Sequence, residues 1–484
     1  MNCTAEMLRL YAVTDRAWVG KLTLPQQVEA ALKGGATCVQ LREKNLADSS
    51  VLAEAREISA LCKQYRVPFI LNDNVALAAQ CGADGVHLGQ EDMDPAQARR
   101  ILGPDAIIGV SAHNVAEAKA AVAAGADYLG CGAMFATTTK TNVTALPKET
   151  LREAIGELLL SGVTTVLDMY YFEEVVAKVM DEMGIRGIAG ETVMEKDSCD
   201  SKNADEAIER GIALIEAYKD HPRVSGAITP HGTTTCSPET LKRAYEEDVK
   251  AGTVFTLHVA EMDYEMTQLR EQYNMTPIEF MEHIGVLGSN TLAAHSIRTT
   301  EHDVEILAKH GASVAHCIAS NTKAAKGVAP VSLMHKHGMS VGFGTDGPAS
   351  GNTLDLFIQM RMCENFHKNE LRDRSAFPAK EVVSMATIEG ARALGLGDIT
   401  GSIEPGKQAD LVLVETDSPN MFPVYDPYSA LVYSAIASNV RDVYVAGECL
   451  VKEKKLVRED FAKIRNDLRE KMERTAFKDM KNLV

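Results

Sequence analysis

IIGVSAHNVAEAKAAVAAGADYLG, residues 107–130, sets the architecture. An apolar run at 107–110 ends in Ser111-Ala112-His113, and apolar residues then recur three and four apart across 115–124 before a second run at 128–130. A short strand, a polar turn, an amphipathic helix and another strand give that pattern. Outward from it, the same unit recurs with apolar runs at 10–13, 38–41, 68–71 and 85–88. Strands alternating with helices imply a parallel sheet, and about six units at this spacing fit a barrel better than an open sheet. In such barrels function gathers at the carboxyl ends of the strands.

The bulk composition narrows the class. Of 484 residues, 45% are hydrophobic and 24% charged, as in ordinary globular proteins. A formal charge of −17 opposes nucleic-acid and anionic-membrane binding, because phosphates repel such a surface. Neither a secretory leader nor an apolar run near the ~18 residues of a membrane span is apparent. The 10 cysteines are scattered singly, which reads as reduced thiols and a cytoplasmic location.

The strand ends of the first part are strongly patterned. They carry Gln40-Leu41-Arg42-Glu43-Lys44, Asn72-Asp73-Asn74, Gly89-Gln90-Glu91-Asp92, Ser111-Ala112-His113 and Thr137-Thr138-Thr139-Lys140. Carboxylates, cations and hydroxyls on one rim suit a magnesium-bound diphosphate. His87, inside an apolar run, reads as a core histidine. Over residues 8–150 the stretch closely resembles thiamine phosphate synthase. The resemblance implies that Gln40, Leu41, Arg42, Glu43, Lys44, Asn72, Ser111 and Lys140 hold a pyrimidine diphosphate. It further implies that Asp73 and Asp92 bind Mg2+ and that Thr137, Thr138 and Thr139 contact a thiazole phosphate. The family's glycine-rich seventh strand is replaced by a helix at 151–161 and by Gly162-Val163-Thr164-Thr165-Val166-Leu167-Asp168.

The alternation continues with runs at 163–169, 185–189, 224–228, 254–258, 291–294, 313–315 and 340–343. These end in Thr229-Pro230-His231, His258-Val259-Ala260-Glu261, Ala294-His295-Ser296 and Gly344-Thr345-Asp346-Gly347. Histidines, a glutamate and an aspartate in this order supply the ligands and proton carriers of a metal-assisted hydrolysis. From about residue 162 to 455 the chain resembles the amidohydrolase superfamily, within it the methylthioadenosine/S-adenosylhomocysteine deaminases. By that resemblance His258 and Asp346 bind Zn2+ or Fe2+, Asp346 accepts the water proton, Glu261 protonates the ring nitrogen, His295 orients the water and His231 contacts the sugar side of an adenosine-type nucleoside.

Three positions depart from this pattern. The family's opening strand, with two metal histidines one residue apart, is missing, and His335-Lys336-His337 is the one such spacing in the chain, in a helical pattern where the two rings diverge. Ala315-His316-Cys317-Ile318 and Ile188-Ala189-Gly190-Glu191 also differ from the usual residues.

The expected fold is therefore α/β, with (β/α)8-barrel-type units. The first is truncated after about six strands (1–150), and the second lacks its first strand (151–395). A partial β-sandwich and a charged helix follow (396–484). Roughly thirteen strands stand against the sixteen of two closed barrels. Open sheet edges would favour association of copies of the chain. The expected function is a fused enzyme, part thiamine phosphate synthase-like transferase and part deaminase. The alternative is a fusion that binds ligands without turnover.

Overall fold

The computed structural model describes residues 3–4, 6–14, 22–43, 48–90, 92–112, 115–131 and 148–472. It divides into two compact units, Met1–Lys140 with Arg469–Val484, and Thr141–Leu468.

In the first unit β1 (Tyr11–Val13), β2 (Cys38–Leu41), β3 (Phe69–Asn72), β4 (Gly85–Leu88), β5 (Ile107–Ala112) and β6 (Tyr128–Cys131) form one six-stranded sheet in chain order. Every pairing is parallel. Sequential order in a parallel sheet is the barrel arrangement, and it sets successive strand ends side by side. Val39, Leu41, Phe69, Leu71, Val86, Leu88 and Ile108 are buried in its core with helix residues such as Ile58 and Ala98.

The second unit opens with the helix Lys148–Leu160 and continues with β7 (Thr165–Tyr170), β8 (Arg186–Val193) and β9 (Val224–Pro230), a parallel sheet of three. The strands β10 (Phe255–Val259), β11 (Thr291–His295), β12 (Ser313–His316) and β13 (Val341–Phe343) form a parallel sheet of four. Between β9 and β10 the wall is joined by a single bridge, Gly232 with His258, and by the His258 N–H donating to the His231 carbonyl at 3.1 Å. The seven expected strands are all present.

Local chemistry explains the connecting helices. In the helix Pro238–Ala251 the Ser237 hydroxyl caps the start, proline occupies the first turn, and Gly252 closes the end at φ 69. Thr276 with Glu279, and Thr300 with Asp303, form reciprocal capping boxes at the helices Pro277–Ile284 and Glu301–Lys309.

An antiparallel sheet follows, β14 (Leu411–Val414), β15 (Val440–Val445), β16 (Glu448–Lys452) and β17 (Lys455–Leu456), in that order. Val440, Val443, Val445, Leu450 and Val451 share one core with barrel residues such as Val176, Ile185 and Phe255. Strand β14 is an edge, and its Val412 and Leu413 are 37% and 36% exposed, so the expected open edge is present. A buried ion pair fastens this sheet to the base of β8. The Arg186 guanidinium donates to both Asp410 carboxylate oxygens (2.8 and 2.9 Å) and to Gln408 Oε1 (2.7 Å). Among the described residues no helix is long and apolar enough to cross a membrane.

Candidate active site

Strand ends concentrate strain as well as charge. His295 (φ 67), Ser296 (φ 49), Ala260 (φ 51) and Asp346 (φ 56) all adopt the left-handed backbone that non-glycine residues avoid. Such conformations persist only where surrounding contacts enforce them, and they cluster at functional sites. Here they turn the chain sharply at the ends of β10 and β11 and after β13.

Four strand-end side chains, His231, His258, His295 and Glu261, form a contiguous row. The His231 and His258 ring centroids are 4.9 Å apart, and His258 stacks on His295 at 5.3 Å. His295 Nε2 lies 3.7 Å from Glu261 Oε1. The His258 Nδ1–H donates to the His231 carbonyl at 2.7 Å, which leaves Nε2 with its lone pair free of that bond. The His295 Nδ1–H donates to Asn321 Oδ1 at 2.8 Å, so its Nε2 is the acceptor facing Glu261. His231 Nδ1 bonds Thr235 Oγ1 at 3.1 Å. Asp346 is held by the Ser320 hydroxyl (2.8 Å) and by the Gly347 N–H (2.6 Å).

The protonation states follow from these contacts. Burial, then the neighbouring His258, brings His231 down to about 4. Burial likewise lowers His295 despite Glu261, so both rings are neutral near pH 7. Burial pushes Glu261 up, yet His295 and Lys326 outweigh it and hold the carboxyl below its ordinary range. Asp346 is also held low, because the Ser320 and Gly347 hydrogen bonds oppose burial.

Lys326 was not foreseen from the sequence: its Nζ donates to Glu261 Oε1 at 2.5 Å, a partner no motif spacing announces. Asn321 and Ser320 had a signal, in the Ala319-Ser320-Asn321 run that follows β12. His335 lies in the helix Val331–Lys336 and bonds the Glu381 and Glu389 carboxylates, a structural bridge away from this row.

A second carboxylate group lies at the end of β8. Glu191, its side chain 1% exposed, receives the Arg210 Nε–H at 3.0 Å. Burial, then Asp200, pushes it up to about 8 against the pull of Arg210. A raised carboxyl binds its proton more tightly in the folded state, so its contribution is full below the unfolded value near 4.5 and is lost as pH rises through 8. Glu191→Gln should therefore gain on the wild type between pH 5 and pH 9 in urea-melt midpoint. A gap that stays constant across that range would show an ordinary carboxyl.

In the first unit Gln40 Nε2 donates to Asn72 Oδ1 at 2.5 Å, joining the ends of β2 and β3. The Arg42 N–H donates to Thr14 Oγ1 at 2.9 Å. Asp73, at φ 61, donates its N–H to the His87 carbonyl at 2.8 Å. Asp92 Oδ2 accepts the Gly89 N–H at 2.6 Å. His87 bonds Ser111 Oγ (3.0 Å) and Tyr128 OH (3.1 Å), a structural role. Glu43 is half-buried, whereas the Leu41 side chain is 1% exposed and belongs to the core. Lys44, Thr137, Thr138, Thr139 and Lys140 lie outside the described residues.

The sequence pattern of the amidohydrolase family matches residues 145–450. The chain belongs to the amidohydrolase family. A second pattern, thiamine monophosphate synthase, matches residues 10–166. The 5-methylthioadenosine/S-adenosylhomocysteine deaminase of Syntrophobacter fumaroxidans is 37% identical over 304 residues, 63% of this chain and 69% of that protein. The 5'-deoxyadenosine deaminase of Methanosphaera stadtmanae is 38% identical over 306 residues, 63% of this chain and 71% of that protein. A solved adenosine deaminase from Xanthomonas campestris with bound zinc superposes with a TM-score of 0.66 at 31% identity, over 68% of this chain and 74% of that one.

A catalytic zinc in an amidohydrolase needs about three protein donors and an open position. At this barrel mouth His258 Nε2 and the Asp346 carboxylate are the two candidate donors. Among the described residues the one set of three donor atoms close enough to share an ion lies elsewhere, at His316, Cys363 and His367. Among the described residues the mouth brings no third donor atom close enough to these two to complete such a site.

Proposed function

We propose that the amidohydrolase portion binds an adenosine-type nucleoside at the ends of β9 to β13 and releases its exocyclic amine as ammonia, slowly and with little metal retained at the barrel mouth. The observation that carries this reading is the row His231–His258–His295–Glu261, with Asp346 held nearby in charged form. Hydrolytic deamination requires a water oriented toward the amine-bearing carbon, a base to take its proton and an acid for the ring nitrogen. Neutral His295 offers Nε2 to orient the water; ionised Glu261 takes one proton from it and passes that proton to the ring nitrogen, and Asp346 takes the second and returns it to the departing amine, which leaves as ammonia. His231 reaches the sugar side. The named substrates of the relatives, methylthioadenosine and S-adenosylhomocysteine, are the first to try, beside adenosine.

Ammonia release and nucleoside binding by the full chain test this. Saturable binding of at least one of the three nucleosides, with measurable but slow ammonia release, is expected. Absence of binding to all three overturns the reading. A zinc equivalent that survives dialysis in the wild type and disappears in His258→Ala would overturn the metal-poor part of it.

For the first unit we propose a magnesium-dependent site for a phosphorylated pyrimidine, with a phosphorylated thiazole as co-substrate. Gln40, Arg42, Glu43, Asn72 and Ser111 lie toward the carboxyl ends of β2, β3 and β5. Asp73 and Asp92 offer two carboxylates, a set that suits Mg2+ shared with substrate phosphates. Free thiols at nine described cysteines support a reducing, cytoplasmic setting.

A further inference from the structure

The second unit contains a cluster that the proposed deaminase chemistry does not use. His316 is the last residue of β12, and Cys363 and His367 stand four apart on the helix Leu356–Leu371, hence on one face of it. All three are buried, at 0%, 0% and 1% exposure. One ligand atom from each lies within 4.8 Å of the others. Neither ring nitrogen of His316 has a hydrogen-bond partner, nor has Nε2 of His367. Buried polar groups are nearly always paired, so three orphaned nitrogens around one thiol demand an explanation. Aromatic rings flank the cluster, with Phe377 stacked on His367 at 4.4 Å and Phe343 at 6.4 Å from His316, while the other His367 nitrogen, Nδ1, lies 3.8 Å from a Glu370 carboxylate oxygen.

We propose that His316, Cys363 and His367 bind a zinc ion, in a three-donor site with a fourth position left for water, apart from the row His231–His258–His295–Glu261. Two imidazoles and a thiolate select zinc over the oxygen-seeking cations magnesium, calcium and manganese. Metal–nitrogen and metal–sulfur bonds of about 2.0–2.3 Å place donors roughly 3.3–3.8 Å apart, which small side-chain rotations reach from the observed spacing. On binding, the Cys363 thiol gives its proton to solvent and the sulfur bonds the metal. The ion would tie β12 to the helix Leu356–Leu371. The same helix already holds the short helix Ile318–Lys323 after β12, where Gln359 Oε1 accepts the Ala319 N–H at 3.1 Å. Ser320 and Asn321 follow directly and position Asp346 and His295. The inference stands independently of the nucleoside reading.

Cobalt titration of the metal-stripped full chain tests it, because a cobalt–thiolate bond has a charge-transfer absorption that histidine and carboxylate ligands lack. The expected result is a band that saturates at one equivalent and is bleached by one equivalent of zinc. It should vanish in Cys363→Ala and persist in Cys317→Ala and His258→Ala. A natively folded wild type without the band overturns the proposal, and this holds even if Cys363→Ala fails to fold. A band that follows Cys317 instead of Cys363 also overturns it, as does a site filled by water alone, which gives no band.

Discussion

Arg186→Ala is expected to destabilise the second unit by about 3–5 kcal/mol, the usual cost of removing one partner from a buried ion pair. The pair is almost dry, with side chains 4% and 1% exposed. Without the guanidinium, the Asp410 carboxylate keeps the Ala446 N–H at 2.6 Å but loses both of its charged bonds. Gln408 loses a donor as well. Arg186→Met/Asp410→Leu should recover most of the loss, because a packed apolar pair leaves no charge stranded. Urea unfolding of the three proteins measures both effects. A single-variant loss below about 1 kcal/mol, the range of exposed ion pairs, would mean that water reaches the pair.

Glu261→Gln is expected to lower ammonia release by about 10²- to 10⁴-fold, the usual contribution of a positioned acid or base. The substitution keeps shape and a hydrogen-bonding oxygen but cannot carry a proton between water and ring. Lys326→Met addresses the same group from the other side. With the ammonium gone, the carboxyl loses a cation that holds it below its ordinary range, so the acidic limb of the pH–rate profile should move to higher pH. Unchanged release in Glu261→Gln would assign the ammonia to another protein or another residue.

The fold was largely legible because apolar runs report buried parallel strands directly. The runs at 38–41 and 85–88 coincide with β2 and β4. Others were read short at the carboxyl end. Strand β8 continues through Glu191, Thr192 and Val193, and β9 through Thr229 and Pro230, all of them buried. Polar residues prolong a parallel ladder when neighbours cover them, and no sliding apolar pattern can see that cover. Strand-end histidines were legible for the same reason that barrel function is: the polar residue after an apolar run lands on one rim. Lys326 and the His316, Cys363, His367 cluster were not. Each depends on which distant helix or loop packs behind a strand, a matter of tertiary contact and not of spacing.

One consequence lies in the join between β9 and β10. Both hydrogen bonds that His258 donates there, from its backbone and from its ring, end on the same carbonyl, that of His231. The imidazole thus shares with its own backbone the task of tying β10 to β9, beside the Thr253 hydroxyl, which donates to the Gly226 carbonyl at 3.0 Å. Whatever grips the other ring nitrogen without twisting the ring also keeps the strands together, and whatever pulls the ring aside loosens them. A ligand that turns the His258 ring would therefore also bear on the join between the two sheets.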